Sequence, residues 1–137
     1  MKMKTFSILC SIVLLSSCKM NSTKTGEQSD IGGQKDKHGC LTAAGYTWSY
    51  LKETCIRPFE DGIALLETSP KESYQVATYL IVDSNKKQAE IFVPNTSTST
   101  LLNQKNDHEY SKGNYLLKQV NNCWILYIDN KKMFKEN

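Results

Sequence analysis

The chain has 137 residues, a length that fits one domain and leaves no room for a second large core. Hydrophobic residues make up 39% and charged residues 23%, a globular balance that excludes collagen-like and fully disordered chains. The net charge is +3, and without Lys2 and Lys4, which belong to a predicted leader, 15 basic residues face 14 acidic ones, or +1. This near-neutral balance argues against nucleic acid as a partner.

The first 17 residues have the pattern of a signal peptide. A basic start at residues 1–4 precedes an apolar run at residues 6–15, which is shorter than the roughly 20 residues of a transmembrane helix. The Leu-Ser-Ser-Cys that ends at Cys18 resembles the lipobox of bacterial lipoproteins. In that family cleavage precedes the cysteine, which is acylated on its thiol and its new amino group. The resemblance therefore implies a lipidated Cys18, and the alternative is an ordinary secretory signal with a chance cysteine.

Lipid on Cys18 would anchor the protein to a membrane without spanning it, since each buried CH₂ contributes about 0.8 kcal/mol. Lys19 follows where an Asp would resemble the inner-membrane retention signal of enteric bacteria. The resemblance thus implies the bacterial cell envelope, and it favours the outer membrane in a Gram-negative host. Residues 18–37 are polar, so we expect a disordered tether with a reach of roughly 25 Å.

Three cysteines remain after the leader and the lipid site, and the exported compartment is oxidising. A bridge between Cys40 and Cys55 would close a loop of about 15 residues and stabilise it by roughly 3 kcal/mol. Cys123 then stays free or pairs with another molecule, and its apolar surroundings predict a buried, inert thiol. A metal site built from these cysteines and a histidine lacks the CxxC spacing, so we expect no metal and no cofactor.

Residues 38–60 form the cysteine module, which resembles a recurring two-cysteine module of small bacterial lipoproteins. That resemblance implies structure and no activity. Aromatic side chains of the module either pack it onto the neighbouring sheet or form a binding patch. These are Tyr46, Trp48 and Phe59, with Trp48 the candidate partner contact. Residues 43–52 have room for one or two helical turns.

Residues 61–137 predict about seven short strands, in a small antiparallel barrel or sandwich. Two turn pairs support this pattern, Asn121-Asn122 and Asp129-Asn130, because Asn and Asp tolerate the positive φ of tight hairpins. Residues 106–113 are polar and are expected to be exposed. The predicted strands are 63–67, 74–82, 88–93, 115–120, 123–128 and 131–134, and a Ser/Thr run at 96–100 precedes the Leu101-Leu102 pair.

Enzymatic motifs are missing from the sequence. It contains no nucleophile elbow, no HExxH and no glycine-rich phosphate loop, and its two histidines lie in polar stretches. We therefore expect a protein that is not an enzyme. A small hydrolase whose residues meet only in the fold is the alternative.

The strand at residues 89–94, the Leu-Leu pair, the Tyr-Ser-Lys-Gly at residues 110–113 and the final hairpin resemble the membrane-bound C-type lysozyme inhibitors. Those proteins are exported, often lipid-anchored, small antiparallel β-barrels that place a loop in the cleft of a host muramidase. Their pattern is a Ser-Gly pair three residues before a Tyr, then a strand carrying Lys-Gly. In this chain Tyr110 matches the Tyr of that pattern, and Asn106 stands in place of its Ser. Lys118 lies near the position of the family's Lys only if a gap is allowed, and it is followed by Gln119 where the family has Gly.

The resemblance implies a protein partner and, most specifically, a lysozyme. Lys112, beside Gly113 in a polar loop, is placed to pair with a cleft carboxylate, and Lys118 is a second candidate. Tyr110 would be the aromatic anchor. A solvated lysine and a strand-end tyrosine are the alternative. We expect a non-enzymatic, protein-binding envelope lipoprotein, and the alternative is a structural or accessory lipoprotein that binds an envelope partner through the cysteine module.

Overall fold

The computed structural model describes residues 33–70 and 73–137, so the predicted leader, Cys18 and most of the predicted tether lie outside the described residues. Its main feature is a closed antiparallel barrel of eight strands, preceded by a small two-stranded unit. The prediction of a mostly β fold is confirmed, and the barrel is the architecture adopted. Within the described ranges, no helix has the length and apolar character that crossing a membrane requires.

The barrel strands follow chain order, each antiparallel to the next, and the last strand pairs with the first. A 3-10 turn at Thr42–Ala44 comes before all strands. It overlaps only the start of residues 43–52, where one or two helical turns were expected, and a strand occupies Thr47–Ser49 of that range. The elements are β1 (Thr47–Ser49), β2 (Thr54–Ile56), α1 (Pro58–Asp61), β3 (Ile63–Glu67), β4 (Ala77–Asp83), β5 (Gln88–Phe92), β6 (Thr100–Asn106), β7 (Glu109–Lys112), β8 (Tyr115–Val120), β9 (Cys123–Ile128) and β10 (Lys131–Glu136).

Alternate residues of each strand fill the barrel interior, because successive side chains of a strand point to opposite faces. Leu80 of β4 lies opposite Ile91 of β5, and Ala89 lies opposite Leu102 of β6. An eight-stranded barrel is just wide enough for such side chains to fill it. The buried interior residues are Leu65, Leu80, Ala89, Ile91, Leu102, Tyr110, Leu117, Trp124, Leu126 and Phe134.

The two predicted hairpin turns are present. Asn121 and Asn122 have φ angles of 49° and 61°, and Asp129 and Asn130 have 51° and 62°. Positive φ at both central residues gives the turn a twist that matches its flanking strands. These dipeptides therefore set the β8–β9 and β9–β10 connections.

One barrel strand lies where the sequence predicts exposed polar chain. β7 occupies most of the second half of residues 106–113, and β6 extends well beyond the predicted Leu-Leu pair. Tyr110 is the apolar residue of β7, and its burial depends on distant strands rather than on local alternation. The prediction of an exposed segment is thus wrong for β7, and the barrel has eight strands instead of about seven.

The cysteine module packs on the outer face of the barrel. The predicted Cys40–Cys55 disulfide is present. Leu51 and Ile56 of the module are buried against Ile81 of β4. The fold of the module begins before residue 38, since Lys35 forms a β-bridge with Leu41, so residues 35–37 belong to the module and not to the predicted tether.

Candidate functional site

A buried carboxylate joins the cysteine module to the barrel. Glu90 lies on the outer face of β5 and is 0% exposed. Its Oε1 accepts hydrogen bonds from the Tyr50 amide at 2.8 Å and the Ser99 hydroxyl at 2.5 Å. Its Oε2 accepts from the Ser49 hydroxyl at 2.5 Å and the Leu51 amide at 3.2 Å. Four donors compensate the desolvation of this carboxylate. Glu90 therefore connects β5 by hydrogen bonds to the cysteine module and to the loop after β5.

A groove runs between the module and the β5–β6 loop. On one wall the His38 ring stacks on Trp48, with centroids 4.7 Å apart and planes 8° apart. The same ring meets Tyr50 edge-on at 5.7 Å. Ser97 and Thr98 line the opposite wall, and the hollow between them has a volume of about 300 Å³. That volume is at the lower end for small-molecule sites.

The groove continues along the barrel surface. Thr47, Ser97 and Thr98 border both the first hollow and a second one of about 180 Å³. The second hollow is also lined by Pro58, Phe59, Tyr79, Phe92, Val93, Thr96 and Ser99. Aromatic side chains therefore line both hollows, while hydroxyl groups from the β5–β6 loop run beside them. We call this trough the module groove.

The first residues of the module are held in place by Asp36. Its Oδ1 accepts hydrogen bonds from the amides of His38, at 2.8 Å, and Cys40, at 2.9 Å. The Cys40 amide is the main cause that lowers the pKa of this carboxyl below its ordinary 3.8. The backbone that carries His38 is thereby fixed next to the disulfide.

Exposed lysines flank two connected turns at one end of the barrel. The Asp129 amide of the β9–β10 turn donates a hydrogen bond to the Asn114 carbonyl of the β7–β8 turn at 3.0 Å. Lys112 ends β7, and Lys131 and Lys132 begin β10, and all three residues are exposed. We call these three residues the lysine rim.

The strand register explains why the lysine rim is accessible. Lys112 lies opposite Tyr115, and Lys131 lies opposite Ile128. Tyr115 and Ile128 both pack against the barrel core. The two lysines therefore occupy inward-facing positions where the barrel ends, and their ammonium groups extend beyond its mouth into water.

Lys118 is placed differently. It lies opposite Glu109, three residue positions and so about 10 Å from Lys112 along the strand direction. Its Nζ is 2.7 Å from Glu109 Oε1. The side-chain hydrogen bond from Lys118 lowers the pKa of Glu109 below 4.5, and Glu109 in turn raises the pKa of Lys118 above 10.5. Lys118 therefore already has an anionic partner, whereas no ion pair among the described residues involves Lys112.

Tyr110 does not fit the predicted role of partner anchor. It is 2% exposed, and its ring centroid is 5.9 Å from that of Trp124. Burial is the main cause that raises the pKa of its phenol. Its side chain belongs to the barrel core and cannot reach a partner while the barrel is intact.

The three module aromatics lie in different surroundings. Trp48 is half-buried in the module groove, and Phe59 is 52% exposed at its far end. Tyr46 lies under the Arg57 guanidinium, whose carbon is 4.6 Å from the ring centroid. Leu51 and Ile56 are the module residues buried against the barrel residue Ile81. Trp48 therefore stays a candidate contact residue.

Cys123 is a free thiol at the start of β9 and is half-buried, so it is more accessible than predicted. Among residues 33–70 and 73–137, no group of three His, Cys, Asp or Glu side chains is arranged to hold a metal ion. Comparison of the chain with protein-family models, curated proteins and solved structures returns no match. The candidate surfaces are therefore the module groove and the lysine rim.

Proposed function

We propose that this protein is a non-enzymatic binding protein that holds a partner protein against the lysine rim. The most specific version of this proposal is that the partner is a C-type lysozyme, whose activity the protein blocks. Two features support this proposal. The closed antiparallel barrel is the architecture implied by the resemblance to lysozyme inhibitors, and the lysine rim is a cationic surface on connected turns.

The observation that carries the proposal is the hydrogen bond between the β7–β8 and β9–β10 turns. It fixes two hairpin ends relative to each other, so the lysines beside them lose less freedom on binding than lysines on separate loops. A lysozyme cleft contains paired carboxylates. A charge-assisted hydrogen bond between lysine and carboxylate is about twice as strong as a neutral one. Asp129 in the same turn is exposed and offsets part of the positive charge of the lysine rim.

The location is part of the same proposal. A lipid on Cys18 would hold the barrel at a bacterial membrane, with the outer membrane favoured in a Gram-negative host. Replacing Cys18 with Ser should release the protein from the membrane fraction, and retention of the variant there would contradict lipid anchoring.

The test is lysozyme activity at increasing molar ratios of the chain without residues 1–18, since every pairing of the barrel lies within the described residues. We expect activity to fall and to level off near one to one. Lys112→Ala should weaken inhibition at least tenfold. Lys105→Ala removes another exposed lysine, on β6, and should leave inhibition unchanged.

Lys118→Ala separates two versions of the proposal. If the lysine rim makes the contact, this variant changes inhibition less than Lys112→Ala does. A larger effect of Lys118→Ala would move the contact to the strand position that the family resemblance implies. Absence of inhibition of any C-type lysozyme would reject the lysozyme as partner.

The module groove favours a second candidate, an accessory envelope lipoprotein. In that case an envelope protein would contact the groove at Trp48, which is half-buried and stacked on His38. Cross-linking in the native envelope should then capture one partner, and Trp48→Ala should abolish the cross-link while Lys112→Ala should not.

A further inference from the structure

The module groove has the features of a ligand site. Its two hollows share Thr47, Ser97 and Thr98, so they form one trough instead of two separate pits. Together they offer aromatic surface at both ends and a row of hydroxyl groups between. Sites for small ligands combine a largely apolar lining with a few polar groups that fix orientation.

The two walls of the groove are fixed before any ligand arrives. Glu90 Oε1 accepts a hydrogen bond from the Tyr50 amide on one wall and from the Ser99 hydroxyl on the other. The Cys40–Cys55 disulfide closes the module behind the first wall. A site fixed in this way loses little conformational freedom when it binds a ligand, which favours affinity.

The charges that border the groove cancel. Asp36 and Lys37 are the charged side chains that line it beside His38. A strongly charged ligand would therefore gain little there, because neither sign predominates. The groove is suited to a ligand that is uncharged along its length.

The polar groups of the groove restrict the chemical class of the ligand further. The Ser97 and Thr98 hydroxyls that line both hollows can donate and accept hydrogen bonds, whereas the Thr96 hydroxyl already donates to the Val93 carbonyl and the Ser99 hydroxyl to Glu90. The negative faces of aromatic rings attract the weakly positive C–H groups of a saturated ring. A sugar ring presents both partners at once, with C–H groups on its faces and hydroxyls around its rim. A peptide would instead need apolar pockets for its side chains along the wall that residues 96–99 occupy.

We propose that the module groove binds a neutral oligosaccharide, with one sugar ring against the stacked His38–Trp48 pair and a further ring toward Phe59. The hydroxyls of Ser97 and Thr98 in the β5–β6 loop would hydrogen-bond to the sugar hydroxyls between these positions. This site differs from the lysine rim, so it does not depend on the proposed lysozyme partner.

The test is titration of the full chain, in a detergent without a sugar head group, with neutral tetrasaccharides of N-acetylglucosamine, β-linked glucose and α-linked glucose. Binding is followed by calorimetry and by tryptophan fluorescence. We expect saturable binding of at least one of them with a dissociation constant below about 1 mM. Trp48→Ala should weaken it at least tenfold, and Tyr74→Ala, which removes an exposed aromatic ring outside the groove, should not.

A second variant guards against a folding defect in Trp48→Ala. Thr98→Val keeps the shape of the side chain and removes its hydroxyl, and it should weaken binding about three- to tenfold at an unchanged melting temperature. Absence of binding for all three sugars at 10 mM would overturn the proposal. Binding that both groove variants leave unchanged, or binding of a proline-rich peptide in the groove without any sugar binding, would overturn it as well.

Discussion

Replacing Glu90 with Gln should loosen the cysteine module from the barrel, although the two side chains have nearly the same shape. Each Glu90 oxygen accepts from one backbone amide and one serine hydroxyl. A glutamine NH₂ group in place of either oxygen can donate to the serine there, whose hydroxyl can turn and accept. The backbone amide at that position cannot turn, so the Tyr50 or the Leu51 amide loses its acceptor in either orientation of the glutamine.

The size of the effect follows from these bonds. A buried amide left without an acceptor costs about 1–3 kcal/mol, and hydrogen bonds to a neutral acceptor are each weaker than those to a charged one. We therefore expect Glu90→Gln to lower the free energy of unfolding by about 2–4 kcal/mol. For a domain of this size, 1 kcal/mol corresponds to a shift in melting temperature of roughly 4–8 °C.

The chain contains two tryptophans, and each reports on one part of the molecule. Trp48 belongs to the module and Trp124 to the barrel interior. Denaturant unfolding of Trp48→Phe and Trp124→Phe variants, each with and without Glu90→Gln, therefore follows the two parts separately. Glu60→Gln, at an exposed carboxylate, is the matched control and should cost less than about 0.5 kcal/mol. If Glu90→Gln costs no more than this control, the reasoning is wrong.

Two further predictions concern a glycine and an ion pair. Gly45→Ala should destabilise the protein more than Gly39→Ala does: both glycines have positive φ, 80° and 87°, but only at Gly45 would an added Cβ lie 2.9 Å from the Phe59 ring. Thermal unfolding checks this, and equal effects of the two variants would contradict it. Because Lys118 lowers the pKa of Glu109, their ion pair stabilises the fold above pH 4.5, and this contribution disappears as the pH falls through the lowered pKa. Lys118→Gln should raise that pKa toward its ordinary value in a carboxyl NMR titration, and an unchanged midpoint would refute the assignment.

The local signals in the sequence predicted most of the barrel. Alternation placed β5 correctly, and the turn dipeptides placed the hairpins that follow β8 and β9. β7 was not predicted because Tyr110 is its only buried residue. Its contact with Trp124 connects strands that are separate in sequence, and a single apolar residue gives no periodic pattern.

The candidate site was predictable only in part. The disulfide and the role of Trp48 as a candidate contact came from residue type and spacing. The role of Glu90 was not predicted. Alternation along β5 puts Glu90 on the face opposite Ala89 and Ile91, which is correct, but alternation cannot show that the module covers that face. Phe92 shares the face with Glu90 and was the one local sign of a covering element.

Closure of the barrel also determines when the molecule can fold. Leu65 of the first barrel strand pairs with Glu136 of the last, across nearly the whole domain. Loop closure over this distance has to come before the contact stabilises anything, so β3 stays an open edge until β10 arrives. An open edge can pair with other chains. A chain that is synthesised from its N-terminus therefore keeps an aggregation-prone edge at β3 until β10 has appeared, which makes a chaperone most useful during that interval.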